Sequence, residues 1–111
     1  MLEYLFICSA GAYRSPTAAE VAMDLARKAG IKRFKSDFFG IDTIYFNVSK
    51  RLNRADMIFV MENYMADRLI RHNHISPDKI RVLDIEDMYL KNDPELVRIL
   101  RQKLEPFFRD L

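Results

Sequence analysis

The chemistry available to this sequence is concentrated around Cys8, its only cysteine. Arg14 follows six positions later, then Ser15 and Pro16. The five residues between, Ser9, Ala10, Gly11, Ala12 and Tyr13, are mostly small. A gap of that length lets the backbone curl so that successive N–H groups point inward, making a concave anion site. A thiolate at the floor and a guanidinium on the rim complete a cradle suited to a phosphate-like dianion, the arginine holding two oxygens at once as a lysine cannot. Residues Ser9 to Ser15 are therefore the candidate phosphate-binding loop, and the Ser15 hydroxyl is placed to donate to the sulfur. A thiolate that takes up a phosphoryl group also needs an acid for the leaving oxygen. Asp84 and Asp87, in the run Asp84-Ile85-Glu86-Asp87-Met88-Tyr89, are the candidates.

The competing reading makes Cys8 a small core residue and Arg14 a surface charge. Their setting argues otherwise. Leu5, Phe6 and Ile7 form an apolar run of a strand buried on both faces. After the loop, Pro16 suits a first helical position with Ser15 as cap, and Ala18, Ala19, Ala22, Met23, Leu25, Ala26 and Ala29 recur at helical spacing until Gly30. The thiol would then lie near the positive end of a helix dipole, which favours its anionic form.

Further along, residues 32–39 suggest a second strand, 49–53 a short helical turn, 57–61 a third strand and 63–72 a helix. Ile80, Val82 and Leu83 suggest a fourth strand. Asp93 and Pro94 open one last helix whose buried stripe runs from Leu96 to Phe108. Buried strands alternating with helices predict an α/β fold, a four-stranded parallel sheet with helices on both faces, in which ligands sit beyond the carboxyl ends of the strands. The Cys8 loop, Glu62 and Asn63, and Asp84 to Tyr89 all fall there.

At 111 residues, the expectation is a single domain over residues 1–111. Eighteen basic against 16 acidic residues leave a net charge of only +2, so nucleic acid is not the expected partner. No stretch approaches the roughly 20 apolar residues of a membrane span, and Met1 to Ile7 do not read as a secretory leader. A cytoplasmic protein is expected, in which a lone thiol makes no internal disulfide. His72 and His74 lack a third ligand nearby and are read as surface residues, so no metal or cofactor is expected. Lys50, Arg51, Arg54, Arg68 and Arg71 read chiefly as a solvated face.

Cys8 to Pro16 resembles the signature of the low-molecular-weight protein tyrosine phosphatases: Cys, five residues, Arg, Ser, Pro near the N-terminus. Ala55 to Glu62 resembles the family's third strand. Glu86-Asp87-Met88-Tyr89 falls in register with its Asp-Pro-Tyr acid loop, which favours Asp87 over Asp84. The resemblance implies a two-step hydrolysis through a cysteinyl-phosphate, with Cys8 as nucleophile, Arg14 and the loop amides on the phosphoryl oxygens and Asp87 as acid and then base. No metal is implied, and the partner would be a phosphotyrosine-containing protein or a small aryl phosphate. The chain departs from the family at Gly11 (usually Asn), Tyr13 (a second cysteine) and Met88 (Pro), and it is shorter in the middle, where the family keeps an aromatic wall of the cleft. Tyr45, Phe46, Tyr89 and Tyr13 are the candidates to replace that wall. The alternative function is a non-catalytic phosphate-binding or phosphocysteine-carrier module of the same fold. An arsenate reductase, which passes oxidation to further cysteines, ranks lower because there is only one.

Overall fold

In the computed structural model, residues 1–42 and 48–109 are described. In chain order the elements are β1 (Leu2–Cys8), α1 (Arg14–Lys28), β2 (Phe34–Gly40), α2 (Val48–Arg54), β3 (Met57–Val60), α3 (Asn63–Asn73), β4 (Ile80–Val82), α4 (Pro94–Leu104) and α5 (Pro106–Arg109). The strands form one sheet in the order β2-β1-β3-β4, every pair parallel. The chain therefore moves one way from β1 to β2, then reverses across β1 to β3 and β4. Right-handed crossovers turn that reversal into helices on opposite faces, α1 on one and α3 on the other. Between β1 and β3 lies the switch point, the place where such sheets bind ligands.

The apolar run Tyr4 to Cys8 is buried throughout because β1 is an inner strand covered on both faces. Alternation puts Tyr4 and Phe6 on one face and Leu5 and Ile7 on the other. On the first face Phe6 pairs in register with Phe59, their rings stacked 5.0 Å apart. Tyr4 sits edge-on to Phe34 and Phe59 and also meets Phe108, while Phe107 closes on Phe59 at 5.0 Å. The Tyr4 hydroxyl donates to the Phe107 carbonyl at 2.9 Å, so the C-terminal turn is pinned to the middle of the sheet.

Two expectations about helix ends need correction. The first helix begins at Arg14, two residues before Pro16, with Tyr13 in the N-cap position and no side-chain cap. Ser15 is thus inside the helix, its hydroxyl turned to the Cys8 sulfur instead of capping. The last helix is two: the chain turns at Glu105, because Pro106 has no N–H to offer and its ring crowds the preceding turn. Apolar spacing continues into Phe107 and Phe108 only because the second piece packs on the same core.

Candidate active site

Cys8 ends β1 and is 2% exposed. Pairing with the segment after β2 continues one residue past it: Ile41 N–H donates to the Cys8 carbonyl at 2.8 Å and Asp42 N–H to that of Ser9 at 3.0 Å. The loop then curls back. Gly11 adopts φ +72°, and its N–H points to the Cys8 sulfur at 3.2 Å. From the helix side Ser15 Oγ approaches the same sulfur to 3.1 Å. The first turn of α1 holds no acidic residue, so nothing there offsets the positive end of its dipole.

A close backbone crossing fixes the curl. A Cβ on Gly11 would stand 2.5 Å from the Gly40 nitrogen, and one on Gly40 would stand 2.3 Å from the Ala10 carbonyl carbon. Both are distances no side chain tolerates. The loop is thus braced by two glycines pressed together.

Arg14 is 1% exposed, and a charge so buried needs partners. Its Nη1 donates to Glu62 Oε2 at 2.9 Å and to the Ile85 carbonyl at 2.6 Å. Nη2 donates to Ser9 Oγ at 3.2 Å, and Nε lies 3.7 Å from Asp87 Oδ1. Ser9 Oγ in turn donates to Asp87 Oδ2 at 3.4 Å. Cys8, Ser9, Ala10, Ala12, Tyr13, Arg14 and Asp87 line a cavity of about 50 Å³, the scale of a small anion. A larger cavity of about 510 Å³ lies at the start of β2, among residues such as Met23, Ile31, Lys32 and Phe34, and shares no lining residue with the Cys8 site.

The segment carrying Asp87 is tethered at both ends. Leu83 and Ile85 donate their N–H groups to Val60 and Met61 carbonyls, at 2.8 and 2.9 Å. Lys103 Nζ reaches the Leu83 carbonyl at 2.5 Å, and at the far end Asn92 N–H donates to Thr17 Oγ1 at 3.0 Å. Between these ties Met88 and Leu90 stand exposed.

The structure thus brings together Cys8, the loop from Ser9 to Ser15, and Asp87. Tyr13 lines the cavity, half-exposed. Tyr89 instead lines an adjoining groove of about 390 Å³ with Asp84, Glu86 and Lys103, away from the sulfur. Tyr45 and Phe46 lie outside the described residues. Arg51, Arg54, Arg68 and Arg71 each meet a carboxylate, of Asp37, Glu3, Asp42 and Asp67. Among the described residues, no group of three or more His, Cys, Asp or Glu is placed to hold a metal ion, and no helix is long and apolar enough to cross a membrane.

Tyr64, absent from the sequence-based candidates, opens α3 beside the site. Partial burial, then the carboxylates of Asp42 and Glu62, raise its hydroxyl above the ordinary tyrosine pKa, with Arg14 opposing and Asp87 adding to the rise. The available signal was its position in the first turn of the helix that follows the third strand, at the carboxyl edge of the sheet.

No family model matches the sequence, and no curated protein sequence matches it. Solved structures do. A low-molecular-weight protein tyrosine phosphatase from T. tengcongensis superposes with a TM-score of 0.78, covering 100% of both chains at 16% identity. The fold is that of the low-molecular-weight protein tyrosine phosphatases. The tyrosine phosphatase Wzb of Escherichia coli K30, solved with phosphate, shares this phosphatase fold at a TM-score of 0.71 and 20% identity over 100% of this chain and 99% of its own. The YwlE arginine phosphatase, a Bacillus subtilis protein seen as a mutant with a phosphorylated active-site serine, does so at 0.73 and 15% identity over 98% and 97%.

Proposed function

We propose that this chain is a cysteine-dependent phosphatase that hydrolyses phosphate monoesters, with phosphotyrosine or a small aryl phosphate as substrate. The observation that carries the proposal is the double contact on the Cys8 sulfur, from Gly11 N–H at 3.2 Å and Ser15 Oγ at 3.1 Å, at the floor of a cavity rimmed by Arg14 and Asp87. Both groups can donate to a thiolate, stabilising it as attacking group and as leaving group. Neighbours of the same fold named as tyrosine and arginine phosphatases support the reaction class.

In the first step the Cys8 thiolate attacks phosphorus in line while the bond to the leaving oxygen breaks, and Asp87 gives that oxygen its proton. The equatorial oxygens rest on the loop N–H groups and the Nε/Nη2 edge of Arg14. In the second step Asp87, now a carboxylate, takes a proton from water as the water oxygen bonds to phosphorus. The S–P bond breaks, the thiolate returns and inorganic phosphate leaves. Residues Ser9 to Ser15 act as the phosphate cradle, with Tyr13 an aromatic residue at its lining.

Hydrolysis of an aryl phosphate by the wild type, Cys8→Ser and Asp87→Asn tests the proposal. Wild-type turnover that Cys8→Ser abolishes is expected. Phosphate bound at Cys8 without turnover would favour the carrier module, and preference for phosphoarginine over phosphotyrosine would reassign the substrate.

A further inference from the structure

Asp87 owes its place to a bend in the chain just before it. Leu83 and Ile85, two positions apart, donate their N–H groups to the carbonyls of Val60 and Met61, one position apart, at 2.8 and 2.9 Å. Asp84 is therefore the extra residue of a bulge, and it takes φ +57°, a conformation that an L side chain rarely adopts. At a bulge the strand bends and the side chains beyond it are re-aimed. Here the bend carries the Ile85 carbonyl to Arg14 Nη1, at 2.6 Å, and the Asp87 carboxylate to Ser9 Oγ, at 3.4 Å.

The geometry points to Lys103 as the positioning residue that holds this bend and so aims Asp87 at the cradle. This rests on the phosphatase reading above and adds a residue to it. Lys103 lies in the last turn of α4, and its Nζ donates to the Leu83 carbonyl at 2.5 Å and to the Asp84 carbonyl at 3.3 Å. Those carbonyls belong to the two planar peptide groups that flank Asp84. One ammonium gripping both therefore opposes rotation about φ and about ψ of the strained residue. Asp84 and Glu86 offer carboxylates in the same groove, yet the ammonium goes to the backbone. A cation late in a helix is ordinarily favoured by the free carbonyls of that helix, whereas this one spans to another element. The far end of the segment is tied separately, Asn92 N–H to Thr17 Oγ1 at 3.0 Å, so loss of Lys103 loosens the bend without releasing the whole segment. Lys103 is not among the residues lining the Cys8 cavity, and its effect belongs to the placing of the acid and not to affinity for phosphate.

The test measures kcat and KM for aryl phosphates of graded leaving-group pKa, binding of inorganic phosphate, and hydrogen exchange of the Ile85 amide without ligand. Wild type, Lys103→Met and Lys103→Arg are compared, with thermal melts to establish folding. Lys103→Met, which keeps the length of the side chain and loses its donors, should lower kcat about 10- to 100-fold for a poor leaving group, the scale for loss of a hydrogen bond to a charged group. An activated ester, which needs no proton from Asp87, should lose less than about 3-fold. Phosphate should bind Lys103→Met as it binds wild type, while exchange at Ile85 should quicken about 10-fold or more as the bend opens. Lys103→Arg, which can still donate to both carbonyls, should recover most of kcat. Wild-type-like kcat in Lys103→Met, a loss equal for every leaving group, phosphate binding weakened as much as kcat, or unchanged exchange at Ile85 overturns the assignment. Faster exchange at Ile85 in Lys103→Met, in a protein whose wild type hydrolyses no phosphate ester, would leave the hold on the bend standing and remove the phosphatase reading.

Discussion

Gly11 and Gly40 touch backbone to backbone, and neither position has room for a side chain. The contact joins the crest of the anion loop to the end of β2, so the shape of the loop depends on a strand far from it in sequence. Gly11→Ala should cost about 2–4 kcal/mol from overpacking and positive φ together. Gly11→Asn, which tolerates positive φ better but adds a larger side chain at the crossing, should be no better. Denaturant unfolding measures the loss, and a Gly11→Asn protein as stable as wild type would show that the crossing relaxes easily.

Asp87→Asn should slow hydrolysis of substrates with poor leaving groups about 10²–10⁴-fold and have much less effect on activated aryl esters, because only a basic leaving oxygen requires the proton. Asp84, whose neighbours in the adjoining groove are not those of the sulfur, should tolerate the same change. A series of aryl phosphates of graded leaving-group pKa checks both. An Asp84→Asn variant more damaged than Asp87→Asn would reverse the assignment.

Ser15 is fully buried, and its hydroxyl has the sulfur within reach. Ser15→Ala should reduce turnover about 10- to 100-fold, the scale of one lost hydrogen bond to an anion. With an activated ester whose first step is fast, breakdown of the cysteinyl-phosphate should suffer most. Burst kinetics would reveal accumulation of the intermediate. No burst and a full steady rate would deny Ser15 any role toward the thiolate.

Asp24, in the middle of α1, meets Arg101 of α4 at 2.7 Å and Lys28 at 3.2 Å, and these partners hold its carboxyl below the usual aspartate pKa. The folded state therefore binds that proton more weakly than the unfolded chain. The stabilisation is present above the unfolded value near 3.8 and fades as pH falls through the lower folded value. Asp24→Asn should be less stable than wild type at pH 7, with the gap closing in strong acid. Thermal melts from pH 7 to pH 2 follow this, and a gap independent of pH would mean that charge is not its origin.

The Cys8 loop was legible because its signals are local: a buried run, a glycine where φ turns positive, and Ser-Pro at the start of a helix. The parallel sheet followed from four apolar runs separated by helical spacing. Glu62 was visible only as a residue after β3, since its contact with Arg14 depends on how β3 registers against β1. Tyr64 was hidden for the same reason. The start of α1 was misplaced because Pro16 and Ser15 resemble a cap equally well one turn earlier or later, and the loop geometry decides between them. The break at Pro106 was written in the sequence, yet outweighed by apolar spacing that continues beyond it.

Ser9 and Asp87 meet although they lie 78 positions apart, whereas among the described residues the contacts on the Cys8 sulfur come from Gly11 and Ser15, within seven positions of it. The contacts on the sulfur thus come from one strand-loop-helix unit whose loop is braced by β2, and the acid arrives only when β4 has docked at the end of a long-range assembly. During folding, a chain that has paired β2 with β1 but has not yet docked β4 should already capture an oxyanion while remaining unable to protonate a leaving group, so turnover would appear later than binding and mark completion of the sheet.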